Sequence, residues 1–177
     1  MIVNTKYEKN KNLIAISLIN ELFKKHEKPV FLCVGSDKVL GDSVGALTGE
    51  ILKTKHKINA YIYGDLDYNI NANNIEKTIL HIKKIHPYSP IVLIDGILGD
   101  MDEVGQIKFY PNGAFASGEF HKGVFVGDYS ILAVVDVKGI DSLSFLKSVK
   151  LKTVLTQAEF IADSIAQAYI YSQNLLN

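Results

Sequence analysis

The chain contains no arginine: all 19 of its basic residues are lysine. Bidentate guanidinium clamps on phosphate or carboxylate are therefore missing, which argues against kinases, nucleotide-dependent enzymes and enzymes of acidic metabolites. Cysteine is nearly absent too. The one thiol, Cys33, excludes an intrachain disulfide and a multi-cysteine metal site. It lies inside an apolar run and reads as a small buried hydrophobe. Excess charge is lacking, because 19 acidic residues balance the lysines, so nothing in the bulk electrostatics calls for a nucleic acid or an anionic membrane as partner. Long apolar runs are lacking as well. The first eleven residues are polar, and the apolar stretch after them is broken by Ser17, Asn20 and Glu21. That pattern is neither a signal sequence nor a membrane span, and the expected location is the cytoplasm.

What is present suits one globular α/β domain over residues 1–177. The length fits a single core, and 47% hydrophobic residues suffice to fill it. No repeat, low-complexity run or linker divides the chain. Leu13, Ile16, Leu18, Ile19, Leu22 and Phe23 fall near one helical face, and Pro29 ends that helix. Val30 to Val34 is a continuous apolar run, expected of a strand buried on both faces. Residues 35–41 form a loop, after which Asp42 or Ser43 can cap a helix to about Lys55. Ala60 to Tyr63 is a short strand. Asn73 can cap a helix through Ile75, Ile79, Leu80 and Ile82, and Ile91 to Ile94 is a third buried strand. This α-β-α-β-α-β alternation predicts a mainly parallel sheet with helices on both faces. Val104 to Tyr110 alternates apolar and polar residues, as an antiparallel edge strand does. Residues 111–123 read as a glycine-rich loop, Ser130 to Val137 as an apolar strand, and Leu151 to Ile165 as a long helix packed on the sheet.

In such sheets, sites form where strands end and loops turn into helices. Two strand ends carry an acid. One is G-S-D-K-V-L-G-D-S-V-G over residues 35–45, with Asp42. The other is I-D-G-I-L-G-D over residues 94–100, with Asp95 directly after four apolar residues. Asp95 at the rim of the core is partly desolvated and needs a partner or a task; capping the following turn is the plainer alternative. If the strands are neighbours, Asp42 and Asp95 face each other. Two close carboxylates share a proton and can then activate water and protonate a leaving amine, as in acid proteases. The same pair can instead hold a divalent metal, with His121, in the glycine-rich loop, as a third ligand or proton carrier. Residues 41–45 also match G-x-S-x-G, but that elbow needs its serine directly after a strand, so Ser43 reads as a helix cap. Gly35, Gly41 and Gly45 lack dinucleotide spacing, and no G-K-S/T occurs. His81 and His86 read as solvated.

At these acidic sites the chain resembles a known family. Residues 33–45, C-V-G-S-D-K-V-L-G-D-S-V-G, resemble the signature of the YyaC sporulation proteins, in which a G-S-D loop leads to G-D-S-x-G. Residues 94–99 (I-D-G-I-L-G) with 103–107 (E-V-G-Q-I), and residues 126–137, resemble that family's later segments, in the same order. The likeness runs from about Pro29 to the C-terminus. The YyaC family is similar to the germination protease of spores, which uses two aspartates, and to the hydrogenase-maturation endopeptidases, which place acidic nickel-sensing residues at matching loops. The resemblance implies a three-layer, phosphorylase/hydrolase-like sandwich and a sporulation-associated, aspartate-dependent peptidase of the sporulating cell or forespore. By motif, Asp42 and Asp95 match the two catalytic aspartates, and Gly35, Ser36, Gly41, Ser43, Gly96 and His121 form the supporting loops. Backbone N–H groups near Gly41 or Gly96 are the candidate oxyanion donors. No cofactor is required on this reading, the partner is a protein or peptide substrate, and homo-oligomers follow because relatives associate. The alternatives are a non-catalytic regulatory protein on the same fold, and a metal-dependent maturation endopeptidase or metal sensor using Asp42, Asp95 and His121. The chain departs from the family pattern at Ala46, usually proline, at Gly96-Ile97, usually Ala-Cys, and at Ala116 to Glu119, often P-G-x-G.

Overall fold

A computed structural model describes residues 1–4, 9–18, 22, 28–116, 124–138 and 149–176. The chain order is β1 (Ile2–Asn4), α1 (Lys9–Leu18), β2 (Val30–Cys33), α2 (Val44–Ile51), β3 (Tyr61–Tyr63), α3 (Ile75–Ile85), β4 (Ile91–Gly99), β5 (Gln106–Tyr110), β6 (Ala114–Ala116), β7 (Val124–Val126), β8 (Tyr129–Val137) and α4 (Leu151–Leu176). A 3₁₀ turn, Leu40–Asp42, leads into α2, and a π turn, Leu52–His56, extends it to Lys57, whose φ of 49° stops the helix in the left-handed region.

Six strands form one sheet in the order β1-β5-β8-β4-β2-β3. Strands β3, β2, β4 and β8 run parallel, while β5 is antiparallel to both β8 and β1. All four residues of β2 are buried, as an apolar run with strands on both sides requires. Their alternation feeds two cores. Phe31 and Cys33 join Val92 and Ile94 of β4 under α1, α2 and α4, with Leu18, Val44, Val154 and Ile161 packed there. Val30 and Leu32 join Leu93 on the opposite face, with Ile75, Ile79 and Ile82 of α3 and with Ala116 and Val126 of the β6–β7 ribbon. Each fully buried side chain of this size contributes about 1.5–3 kcal/mol. The result is the expected three-layer α/β sandwich on a mainly parallel sheet.

Five expectations need correction. Strand β4 does not end at Ile94; it runs on through Asp95 to Gly99, because β8 continues beside it and pairs with every residue from Val92 to Gly99 apart from a shift after Ile97. Strand β5 is antiparallel as expected but lies inside the sheet, with the polar N-terminal segment β1 taking the edge. The segment read as a glycine-rich loop contains β6 and β7, paired through Ala114–Val126 and Ala116–Val124. In α1, Ile14, Ala15 and Leu18 are buried while Leu13 and Ile16 are exposed, so the apolar face is turned by one position; Ile19 and Phe23 lie outside the described residues. Asn73 does not cap α3. Asn74 precedes the helix, and its side-chain oxygen accepts the N–H of Asn71 at 2.8 Å, closing a turn.

Candidate functional site

The site is made by backbones that touch. α2 begins directly over the C-terminal end of β2 and the middle of β4, and glycines permit the approach. A Cβ on Gly45 would stand 1.9 Å from the carbonyl oxygen of Val34 and 2.8 Å from that of Ile94. A Cβ on Gly96 would meet the carbonyl oxygen of Gly41 at 2.7 Å, and one on Gly35, whose φ is 147°, would meet that of Asp42 at 1.9 Å. Helix, loop and both strands thus close without intervening side chains. Across this seam Ser36 N–H donates to the Asp42 carbonyl at 3.1 Å, and Asp42 N–H donates to the Val39 carbonyl at 2.9 Å.

Asp42 and Asp95 come together on opposite sides of this seam. Asp95 is 6% exposed. By strand alternation it shares the face of Leu93 and Ile97, with Leu132 of β8 directly opposite, and these three pack in the apolar cluster beneath α3 and the ribbon. Its carboxyl is held well above the usual carboxylate range, first by burial and second by the charge of Asp42. The N–H of Gly96 donates to its Oδ1 at 2.8 Å and pulls weakly the other way. Asp42 is half-buried, and burial raises its carboxyl to about 6 against an opposing main-chain N–H of Ser36. Burial and the neighbouring charge of Asp42 thus act together to favour the protonated form of Asp95.

The other sequence-predicted residues take supporting places. Gly35, Gly41 and Gly96 form the seam. Ser36 closes its own loop, its hydroxyl accepting the N–H of Lys38 at 3.2 Å. Ser43 sits at the start of α2, but its hydroxyl donates back to the Leu40 carbonyl at 2.7 Å and caps nothing. It is 4% exposed, a poor place for a nucleophile. The Gly96 N–H is committed to Asp95, so it is not an oxyanion donor. His121, with Ser117 to Glu119, lies outside the described residues. His86 is not simply solvated: it stacks on Tyr61 at 3.7 Å and shares a 2.9 Å hydrogen bond with the Tyr63 hydroxyl. Cys33 is fully buried, and burial pushes its thiol up to about 12.

One acid escaped the sequence reading. Asp65 follows β3 just after Gly64 and is 6% exposed. Lys53 forms an ion pair with it, and Tyr68 N–H donates to it at 2.6 Å; the lysine and the main-chain donors lower its carboxyl despite burial. Its carbonyl accepts from Asn69, whose side-chain oxygen accepts from Asp37 N–H at 3.2 Å, so Asp65 braces the loop that carries Asp42. The signal was a Gly-Asp pair shortly after a strand, the same pair that carries Asp42. Among the described residues, no three His, Cys, Asp or Glu side chains gather to hold a metal; Asp42 and Asp95 offer two of the ligands such a site needs.

These features define an α/β protein in which two acids of raised pKa, Asp95 within β4 and Asp42 in the turn before α2, flank a glycine seam. The chain belongs to the DUF1256 family, described as proteins of unknown function, which matches residues 2–164. It is 29% identical over 151 residues to YyaC of Bacillus subtilis (strain 168), an uncharacterized protein, covering 84% of this chain and 74% of that one. It is also similar to the NiFe-hydrogenase maturation protease HycI of Thermococcus kodakarensis KOD1, at 17% identity and a TM-score of 0.47, over 84% of this chain and 98% of that one. Among the described residues no helix is long and apolar enough to cross a membrane.

Proposed function

We propose that this chain is an endopeptidase of the sporulating cell in which Asp42 and Asp95 act as one proton-sharing pair. The observation that carries this reading is an acid 6% exposed in an apolar cluster, held beside a second, half-buried acid by a seam of glycines. A buried, unpaired carboxyl costs stability and is retained where it has work to do. The G-D-S-x-G and I-D-G-I-L-G segments, which resemble the YyaC and germination-protease motifs, support the peptidase and its sporulation setting.

The chemistry uses one proton held by the pair. Asp42, the more exposed acid, takes a proton from water as the water oxygen bonds to the peptide carbonyl carbon. Asp95 holds the proton that passes through the pair to the leaving nitrogen as the C–N bond breaks. The proton gained by Asp42 then restores the starting state. Two limbs of the pH profile follow. Activity falls below about pH 6 as Asp42 becomes protonated, and falls again at higher pH as Asp95 loses its proton, giving a bell.

The test is digestion of a peptide library read by mass spectrometry. Wild type is expected to give a consistent set of cleavages, and Asp42→Asn to lower their rate by about 10²–10⁴-fold. Equal cleavage by both proteins, or a flat rate between pH 5 and pH 9, would remove the pair from the mechanism.

A further inference from the structure

We propose that the open edge of β3 binds an extended peptide bearing acidic side chains, which joins the sheet as an added strand. This site lies apart from Asp42 and Asp95 and does not rest on the peptidase reading. Among the described residues β3 ends the sheet, and a groove of about 430 Å³ runs along it, lined by Lys53, Lys57, Ile58, Ala60 and all three strand residues.

The backbone there is set for pairing. Tyr61 N–H donates to the Pro29 carbonyl at 3.0 Å, on the β2 side. In a parallel strand the main-chain groups of successive residues face opposite sides. Tyr63 therefore also faces β2, and Ile62 turns its N–H and C=O into the groove. The strand is held rigid from behind by the stack of Tyr61 on His86 and the Tyr63–His86 hydrogen bond, so little ordering remains to be done on binding. Addition of a strand to a free edge is a common mode of peptide capture.

Charge selects the occupant. Lys28, Lys53 and Lys57 lie at this edge, Lys28 with its Nζ 4.4 Å from the centre of the Tyr61 ring. Asp65 neutralises Lys53, and Asp163 meets both Lys55 and His56. Lys28 and Lys57 have no carboxylate partner among the described residues. Two copies of the chain joined edge to edge through β3 would set these lysines against each other, which is how lysine keeps sheet edges apart. An acid-bearing strand meets the same lysines favourably.

Fluorescence anisotropy tests this with two labelled peptides, one alternating glutamate with valine and one alternating lysine with valine. The acidic peptide is expected to bind saturably and the basic one not at all. Methylating the backbone nitrogens that face β3 should abolish binding. Lys57→Glu, on an exposed side chain and checked for an unchanged melting temperature, should weaken it about fivefold. Equal binding of both peptides, binding of neither, full retention after N-methylation, an unchanged affinity in Lys57→Glu, or a dimer closed through β3 would each overturn the proposal.

Discussion

Asp95→Asn should cut peptides far more slowly than wild type and yet melt at a higher temperature at pH 7. The two effects have one cause. Asn is isosteric, and its side-chain oxygen can go on accepting the Gly96 N–H that Asp95 now holds at 2.8 Å. What the substitution removes is the ionisable proton. Without it the pair no longer shares a proton, and hydrolysis should fall by about 10²–10⁴-fold. Stability moves the other way. The Asp95 carboxyl is held above its unfolded value by burial and by the charge of Asp42, so the folded state binds more protons than the unfolded one. Linkage then makes wild type lose stability as pH rises from the unfolded carboxylate value, near 3.8, up to the folded one. Asn has no such loss. The melting curves of the two proteins should nearly coincide at pH 3–4 and separate steadily toward neutral pH, with each kcal/mol worth about 2–4 °C at this chain length. Calorimetry across that range reads the separation directly. A gap that does not change with pH would contradict the burial of the acid, and retained cleavage would contradict its role.

Gly45→Ala should be among the most damaging single methyl groups that can be added near the site. Its Cβ would lie 1.9 Å from the Val34 carbonyl oxygen and 2.8 Å from the Ile94 carbonyl oxygen. Both obstacles are backbone of central strands and cannot rotate away. Helix α2 must lift, taking Val44 out of the core and loosening the loop of Asp42. A cost of about 4 kcal/mol is expected, a large share of the roughly 5–15 kcal/mol that a domain possesses. Gly105→Ala is the contrasting case. Its φ of 88° disfavours a side chain, but nothing lies within 4 Å of the added carbon, so about 1–2 kcal/mol should suffice. Urea unfolding of the two variants side by side separates collision from conformational strain. Comparable losses would mean that α2 does not rest on the strands as closely as described.

Much of this architecture was readable before any coordinates. Val30 to Val34 and Ile91 to Ile94 announce themselves because a strand covered on both faces must be apolar at every position, and the two acids stand out because each interrupts or follows such a run. The remainder was hidden for physical reasons. Asp95-Gly96 looks like a turn, and only the pairing of β8 alongside keeps the chain extended through it to Gly99. Strand β1 joins the sheet through its main chain at an edge, so its side chains carry no pattern. Strands β6 and β7 are three residues each, too short for alternation to register against the glycines around them. Asp65 follows a strand of only three residues, and its ion pair with Lys53, twelve positions earlier, is a product of the fold.

The depth of Cys33 has a practical consequence. Its Cβ is roofed by the backbones of Gly49 and Gly64, and its thiol is fully buried and pushed up to about 12. A colorimetric thiol reagent cannot reach it while α2 lies on the sheet. The chain has no second cysteine to react first. Each labelled molecule therefore records one opening event, and the labelling half-life at high reagent is a clock for how often the domain comes apart in its native buffer.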